Sequence, residues 1–237
     1  GDPGVGKSTL LLQMADDVAR TAGSTVYVTG EESPEQIKLR ADRLKIAGRG
    51  VRIIAETDLD EVLPNVVPTE LLLIDSIQTM FVREAQSGPG TISQVRECTL
   101  RLLQWSKKTG VPVLIAGHVT KDGAIAGPRL LEHMVDVVLY LEGEGVTSHR
   151  ILRGVKNRFG STSEVGIFEM GDGGLSEVKN ASKVFLSSRG SAGPGSVVVP
   201  TMEGTRPLLV EVQALVTPTG APIPRRVSNG FDAARLA

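Results

Sequence analysis

Gly1-Asp2-Pro3-Gly4-Val5-Gly6-Lys7-Ser8 sets glycines, a lysine and a hydroxyl at the spacing G-x-x-x-x-G-K-[ST]. Glycines at these places let backbone N–H groups turn inward around phosphate oxygens. The lysine reaches the β and γ phosphates, and the hydroxyl ligates Mg²⁺. The segment from Gly1 to Thr9 is therefore expected to hold a nucleoside triphosphate, with Lys7 also stabilising charge on a transferring phosphoryl group. Such a loop normally follows a buried strand. No strand precedes Gly1 and no initiator Met is present, so the chain is expected to be a piece of a longer protein.

A phosphate loop needs a carboxylate partner for the metal and a group that orients water. Leu71-Leu72-Leu73-Ile74-Asp75 is a continuous apolar run closed by an acid, as suits a parallel strand buried on both faces. Asp75 is expected to hold Mg²⁺ beside Ser8, through the ion's water shell. Glu31 and Glu32 follow the β-branched run Ser24–Thr29, at the edge of a parallel sheet where ligands bind. Either acid could instead serve a helix N-terminus; Glu31 is read as the catalytic carboxylate and Glu32 as the helix acid. His118 ends the run begun at Val111 and is read as a contact to the γ phosphate or the attacking water, the alternative being a polar residue at a strand end. His133 and His149 are assigned no role.

Lys156-Asn157-Arg158-Phe159-Gly160 falls between two strand-like runs and is expected to form a hairpin turn. Cations on a turn are commonly just solvated. Lys156 and Arg158 could also protrude into a neighbouring copy's nucleotide site, where an arginine delivered in trans stabilises the transferring phosphoryl group. The active site would then be complete only in an oligomer.

These residues need a scaffold. Helical spacing of Leu10, Leu11, Met14 and Val18 predicts a helix from Lys7 to Thr21, and Pro34 starts another through Leu44. Arg52–Ala55 reads as a strand, Phe81–Thr91 as a loop, and Ile92, Val95, Cys98, Leu102, Leu103 and Trp105 as one helical face. A second polar loop runs from Lys121 to Arg129. Val135–Leu141, His149–Lys156 and Glu164–Met170 leave no room for helices between them and should pair antiparallel. The expectation is an α/β fold with a mainly parallel central sheet over 1–180, then a linker at Ser187–Gly195 and strands Ser196–Pro200 and Leu208–Val216 in a second unit, 181–237.

Composition narrows the classes. The 237 residues suffice for one core and part of another. A net charge of −1 gives no global pull toward nucleic acid, so such binding must come from local basic loops or from an oligomer that gathers them. Cys98 is the only cysteine, which excludes an internal disulfide and a Cys-rich metal site in this stretch, and a reducing cytoplasm fits. No apolar run approaches the roughly 18 residues of a membrane span, and no membrane partner is expected.

With these residues in hand, the chain resembles the RadA (Sms) family of bacterial DNA-repair ATPases, related to RecA and to hexameric helicases of the DnaB type. The resemblance rests on Gly1–Ser8, on Thr29-Gly30-Glu31-Glu32-Ser33 and the segment Gln36–Leu44 after it, and on Leu73–Thr79, Gly117–Gly123 and Lys156–Gly160. It implies a RecA-like core that hydrolyses ATP with Mg²⁺, assembles as a homo-hexamer around single-stranded DNA and drives branch migration of recombination intermediates, with the recombinase RecA a candidate partner. It implies that Phe81–Thr91 and Lys121–Arg129 occupy positions similar to pore loops, Lys121 and Arg129 contacting DNA phosphates; exposed basic residues are the alternative. It also implies that 181–237 begins a Lon-protease-like domain, a scaffold without peptidase activity. The family's N-terminal four-cysteine zinc finger has no counterpart here, so zinc is expected only in a longer parent protein. Two other readings of the residues stand beside this one. A small-molecule kinase would need an arginine-bearing lid, and a nucleotide-dependent assembly module would need no turnover.

Overall fold

Apolar and β-branched residues make up β1 (Thr25–Thr29) and β3 (Leu71–Asp75), and every residue of both strands is buried. The two pair in parallel, with β2 (Val51–Ala55) outside β1 and β4 (Val113–Ile115) outside β3, giving the order β2-β1-β3-β4. A parallel sheet requires cover on both faces. Tyr27, Leu71 and Leu73 share a core with Leu11, Leu12 and Ala15 of α1 (Lys7–Thr21). Val26, Val28, Leu72 and Ile74 share the opposite core with Val95, Cys98 and Leu102 of α4 (Ile92–Thr109). The computed structural model describes residues 3–66, 68–118, 127–143, 148–180 and 194–220, with 182, 186, 223 and 225–230.

The buried face of α1 is rotated from the expected stripe: Leu11, Leu12 and Ala15 are buried, Leu10 and Met14 only half-buried. The helix is gripped from two sides, by the parallel sheet and by β8 (Gly174–Glu177). Gln13 Nε2 donates to the Leu175 carbonyl at 3.0 Å, and its Oε1 accepts from the Leu175 N–H at 2.9 Å. Ser33 starts α2 (Pro34–Arg43) with a reciprocal capping box to Gln36 and Pro34 in the first turn.

After α5 (Gly127–Met134), β5 (Val137–Glu142), β6 (His149–Asn157), β7 (Val165–Gly171) and β8 form an antiparallel meander, in which the pairing of the first three strands is expected and β8 is not. β9 (Ser196–Glu203) and β10 (Arg206–Gln213) form a separate hairpin, whose Leu208 packs on Ile167 and Val178. Arg206 donates to the carbonyls of Val178 and Lys179, at 3.1 and 3.0 Å.

One expectation about a loop changes. The expected loop through Arg129 is corrected, since α5 already begins at Gly127; Pro128 presets helical geometry in its first turn, and Leu131 docks against the α4-side core. Lys121 lies outside the described residues. The short α3 (Leu59–Val62) precedes β3 and had no strong periodic signal. The loop between β3 and α4 is held from within. Gln94, 2% exposed, accepts from the Val82 N–H and donates to the carbonyls of Val82, Ala85 and Ser87.

Candidate active site

The parallel strands deliver their C-terminal ends to one edge. Thr29 lies opposite Asp75, and Ile74 opposite Ile115, so the segments carrying Glu31, Ser76 and His118 leave the sheet side by side. The Ser76 hydroxyl donates to Glu31 Oε1 at 2.5 Å, and His118 Nε2 lies 3.2 Å from the same oxygen. Gln78 Nε2 donates to the His118 carbonyl at 3.3 Å, linking the turn after β3 to the segment after β4. His118 Nδ1 is buried with no hydrogen-bond partner among the described residues. A side chain on Gly30 would collide with Thr79, so the glycine lets the Glu31 turn lie directly on the turn after β3.

Glu32 is engaged elsewhere. Its carboxylate pairs with Arg40 of α2, and its N–H donates to Thr29 Oγ1 at 3.0 Å. Glu31, Glu32 and Glu56 line one shallow concavity beyond β1 and β2. The backbone N–H groups of Asp58 and Thr57 hold the Glu56 carboxyl below the usual range, which keeps it ionised.

The described part of the phosphate loop, Pro3 to Ser8, turns into α1 at Gly6, whose φ of 109° only glycine adopts readily and whose missing side chain leaves room for Met170. Gly6, the N-cap of α1, supplies no side-chain cap and no acid lies in the helix's first turn, so its positive dipole end favours an anion. Gly1 and Asp2 lie outside the described residues. The carbonyl of Val5 accepts from Arg150 Nε of β6 at 2.9 Å, so the antiparallel sheet steadies the loop. Asp75 is 5% exposed, and its Oδ2 accepts from the Tyr27 hydroxyl at 2.5 Å. Burial first, then the Asp75 charge, pushes the Tyr27 phenol far above its ordinary range and keeps it protonated. A carboxylate and the Ser8 hydroxyl are hard oxygen donors of the kind Mg²⁺ takes.

Lys156 lies in the strand expected over His149–Lys156 and not on the turn expected from Lys156 to Gly160. β6 runs through Asn157, and the Lys156 ammonium folds back onto the carbonyls of Glu132 and Val135, at 2.7 and 2.8 Å, where the negative dipole end of α5 draws a cation. Arg158 lies just beyond the strand and pairs with Asp136 at 2.8 Å, both half-exposed. Among the described residues, no hydrogen bond or ion pair joins Lys156 or Arg158 to the phosphate loop. Phe159 beside them is 80% exposed. Reading the sequence missed Tyr27, Ser76 and Arg150, because each acts through a contact distant in sequence, and Gln94, which bonds the irregular loop just before its own helix.

Comparison with known proteins bears on family and fold. The family described as AAA domain matches residues 1–124. The chain belongs to the AAA domain family. Over 239 residues it is 52% identical to the DNA repair protein RadA of Bacillus subtilis (strain 168), covering 100% of this chain and 52% of that protein. It is 54% identical over 240 residues to RadA of Halalkalibacterium halodurans and 51% over 244 residues to RadA of Brucella abortus (strain 2308), again covering 100% of this chain and 52% of each relative. The chain thus spans about half the length of the curated relatives it matches, and along all of it is homologous to RadA. Among solved structures, a KaiC-like protein from Pyrococcus horikoshii OT3 aligns with a TM-score of 0.60 at 20% identity, covering 75% of this chain and 86% of that one. The RadB recombinase aligns with a TM-score of 0.56 at 19% identity, covering 76% and 88%. The fold is therefore that of RecA-like phosphate-loop proteins. No helix among the described residues is long and apolar enough to cross a membrane.

Proposed function

We propose that this chain is the ATP-hydrolysing core of a cytoplasmic DNA-repair motor, acting on single-stranded DNA and recombination intermediates as a homo-hexamer. One observation carries the reading: the Glu31 carboxylate is held between the Ser76 hydroxyl and the His118 imidazole, at the sheet edge that the phosphate loop's helix also faces. Glu31 accepts a proton from, or orients, the attacking water, and His118 contacts the γ phosphate or that water. Lys7 and the first N–H groups of α1 bind phosphate oxygens. Asp75 and Ser8 would hold Mg²⁺, which when bound neutralises charge on the β and γ phosphates.

Arg158 of an adjoining copy completes the site, and Lys156 supports it by fixing the end of β6 to α5. The acidic concavity at Glu31, Glu32 and Glu56 suits an incoming cation. Lys121 and Arg129 serve DNA phosphates, RecA is a candidate partner, and residues 181–237 begin a second domain. The homology to proteins named for DNA repair supports this assignment.

The test is the ATPase rate of the full-length protein with and without single-stranded DNA, with Lys7→Ala as control. Stimulation by DNA that Lys7→Ala abolishes is the expected result. Phosphate transfer to a small acceptor would make the protein a kinase, and tight nucleotide binding without turnover would make it an assembly module.

A further inference from the structure

Asp75 is anchored by a residue that no phosphate-loop pattern specifies. Tyr27 is 1% exposed at the centre of β1, on the face that packs against α1, and its ring belongs to the core of Leu11, Leu12 and Leu73. In the parallel register Tyr27 lies opposite Leu73 and Thr29 opposite Asp75, so the phenol reaches two residues forward to the strand end. There its hydroxyl donates to Asp75 Oδ2 at 2.5 Å, in a contact buried on both sides.

The choice of donor is informative. A buried carboxylate needs a hydrogen-bond donor. Lysine or arginine would supply a stronger one, but would place a cation where a metal has to bind. A serine hydroxyl lacks the reach. The tyrosine hydroxyl donates without adding charge, and its ring, clamped in the core, cannot swing away. One carboxylate oxygen is thereby fixed while the full negative charge stays available to a cation.

We propose that Tyr27 is a positioning residue for the Mg²⁺ that accompanies ATP: its hydroxyl sets the Asp75 carboxylate in the orientation that receives the ion. This rests on the reading of Asp75 as the metal carboxylate. The second layer of a metal site typically changes metal affinity by about 10–100-fold when removed.

The experiment titrates Mn²⁺ by electron paramagnetic resonance into the ADP-bound full-length protein, comparing wild type, Tyr27→Phe and Asp75→Asn. Tyr27→Phe should weaken Mn²⁺ binding by about 10-fold or more, while ADP affinity in EDTA is unchanged. Mn²⁺ affinity within about twofold of wild type in Tyr27→Phe, with a clear loss in Asp75→Asn, overturns the role of Tyr27 and leaves the Asp75 assignment standing. No loss in Asp75→Asn overturns that assignment and the role of Tyr27 with it. Should Tyr27→Phe fail to fold, 3-fluorotyrosine placed at position 27 keeps both ring and hydroxyl. Its ¹⁹F resonance should move when Mg²⁺ is added to the ADP complex and stay still when Asp75 is Asn. A resonance indifferent to Mg²⁺ in the wild-type background also overturns the proposal.

Discussion

β1 and β3 bury every residue, whereas in the antiparallel sheet Val137, Leu139 and Val155 remain 39%, 49% and 47% exposed. Side chains at the end of a fully packed sheet are located by a backbone that cannot yield, and Glu31, Asp75, Ser76 and His118 all leave such strands or their neighbour β4. The antiparallel sheet works through long cationic side chains instead. Arg150 ties down Val5, Lys156 ties down α5, and the Arg158 guanidinium makes a half-exposed pair with Asp136. A surface pair of that kind is worth at most about 1 kcal/mol. Arg158 can therefore leave Asp136 for a phosphate at little cost, while the groups it would meet stay fixed.

That contrast breaks most visibly at Arg158. Arg158→Ala should lower hydrolysis by about 10³–10⁵-fold and leave nucleotide affinity and melting temperature nearly unchanged. Mixed assemblies of Lys7→Ala and Arg158→Ala subunits sharpen the point. Recovery of ATPase on mixing shows action in trans, and its absence despite proven co-assembly assigns Arg158 another task.

The parallel-sheet edge is tested next. Glu31→Gln should slow turnover by about 10²–10⁴-fold with Mg-ATP binding retained, while Glu32→Gln, whose main effect is to release Arg40, should cost far less. The reverse ranking in single-turnover assays would exchange the roles of the two acids.

Stability separates the two sheets on a smaller scale. Leu73→Ala opens a void in a closed core and should cost about 2–5 kcal/mol in urea unfolding. Leu139→Ala should cost less than about 1 kcal/mol, as its site is half in water. Equal losses would mean that the antiparallel face is covered in solution.

The mildest test concerns Cys98, whose thiol is pushed up to about 12 by burial and then by the charge of Asp60. The fold favours the neutral thiol, so this contribution is intact below the unfolded thiol's ordinary range and declines as pH rises above it. At pH 8, iodoacetamide should modify native Cys98 at least ~10-fold more slowly than the urea-unfolded chain. Equal rates would show that the α4-side core opens readily.

Much of this arrangement is written in short stretches of sequence. Leu71 to Asp75 announces a buried parallel strand, the glycines from Gly1 to Gly6 announce a phosphate loop, and Ser33-Pro34 announces a helix start, because local pattern determines each. α3, with four residues, is too short to show a period, and β8 is carried by tertiary pairing with β7. Arg129 reads as part of a polar loop because the residues before it are Gly- and Ala-rich, yet α5 starts at Gly127. The face of α1 is misjudged because β8, far along the chain, also packs on it. Tyr27 reads as an ordinary strand aromatic, since Asp75 meets it only when β1 and β3 pair. Arg150 is 145 residues from the carbonyl it holds. Chemistry that depends on such distant partners leaves no spacing to read.

β6 gives these contacts a mechanical sense. Arg150 near its start grips the phosphate loop of its own subunit, and Arg158 stands just past its end, roughly 26 Å away for eight extended residues. Under the proposed assembly a single strand then has a hand in two nucleotide sites, its own and the next. β6 pairs with β7 over His149–Arg153 and with β5 over Ile151–Asn157, so both of its ends are tied into the sheet, and in such an assembly it would act as a push-rod, passing displacement of one phosphate loop on product release to the arginine serving the neighbour. Firing order around a ring would follow from the strand's direction.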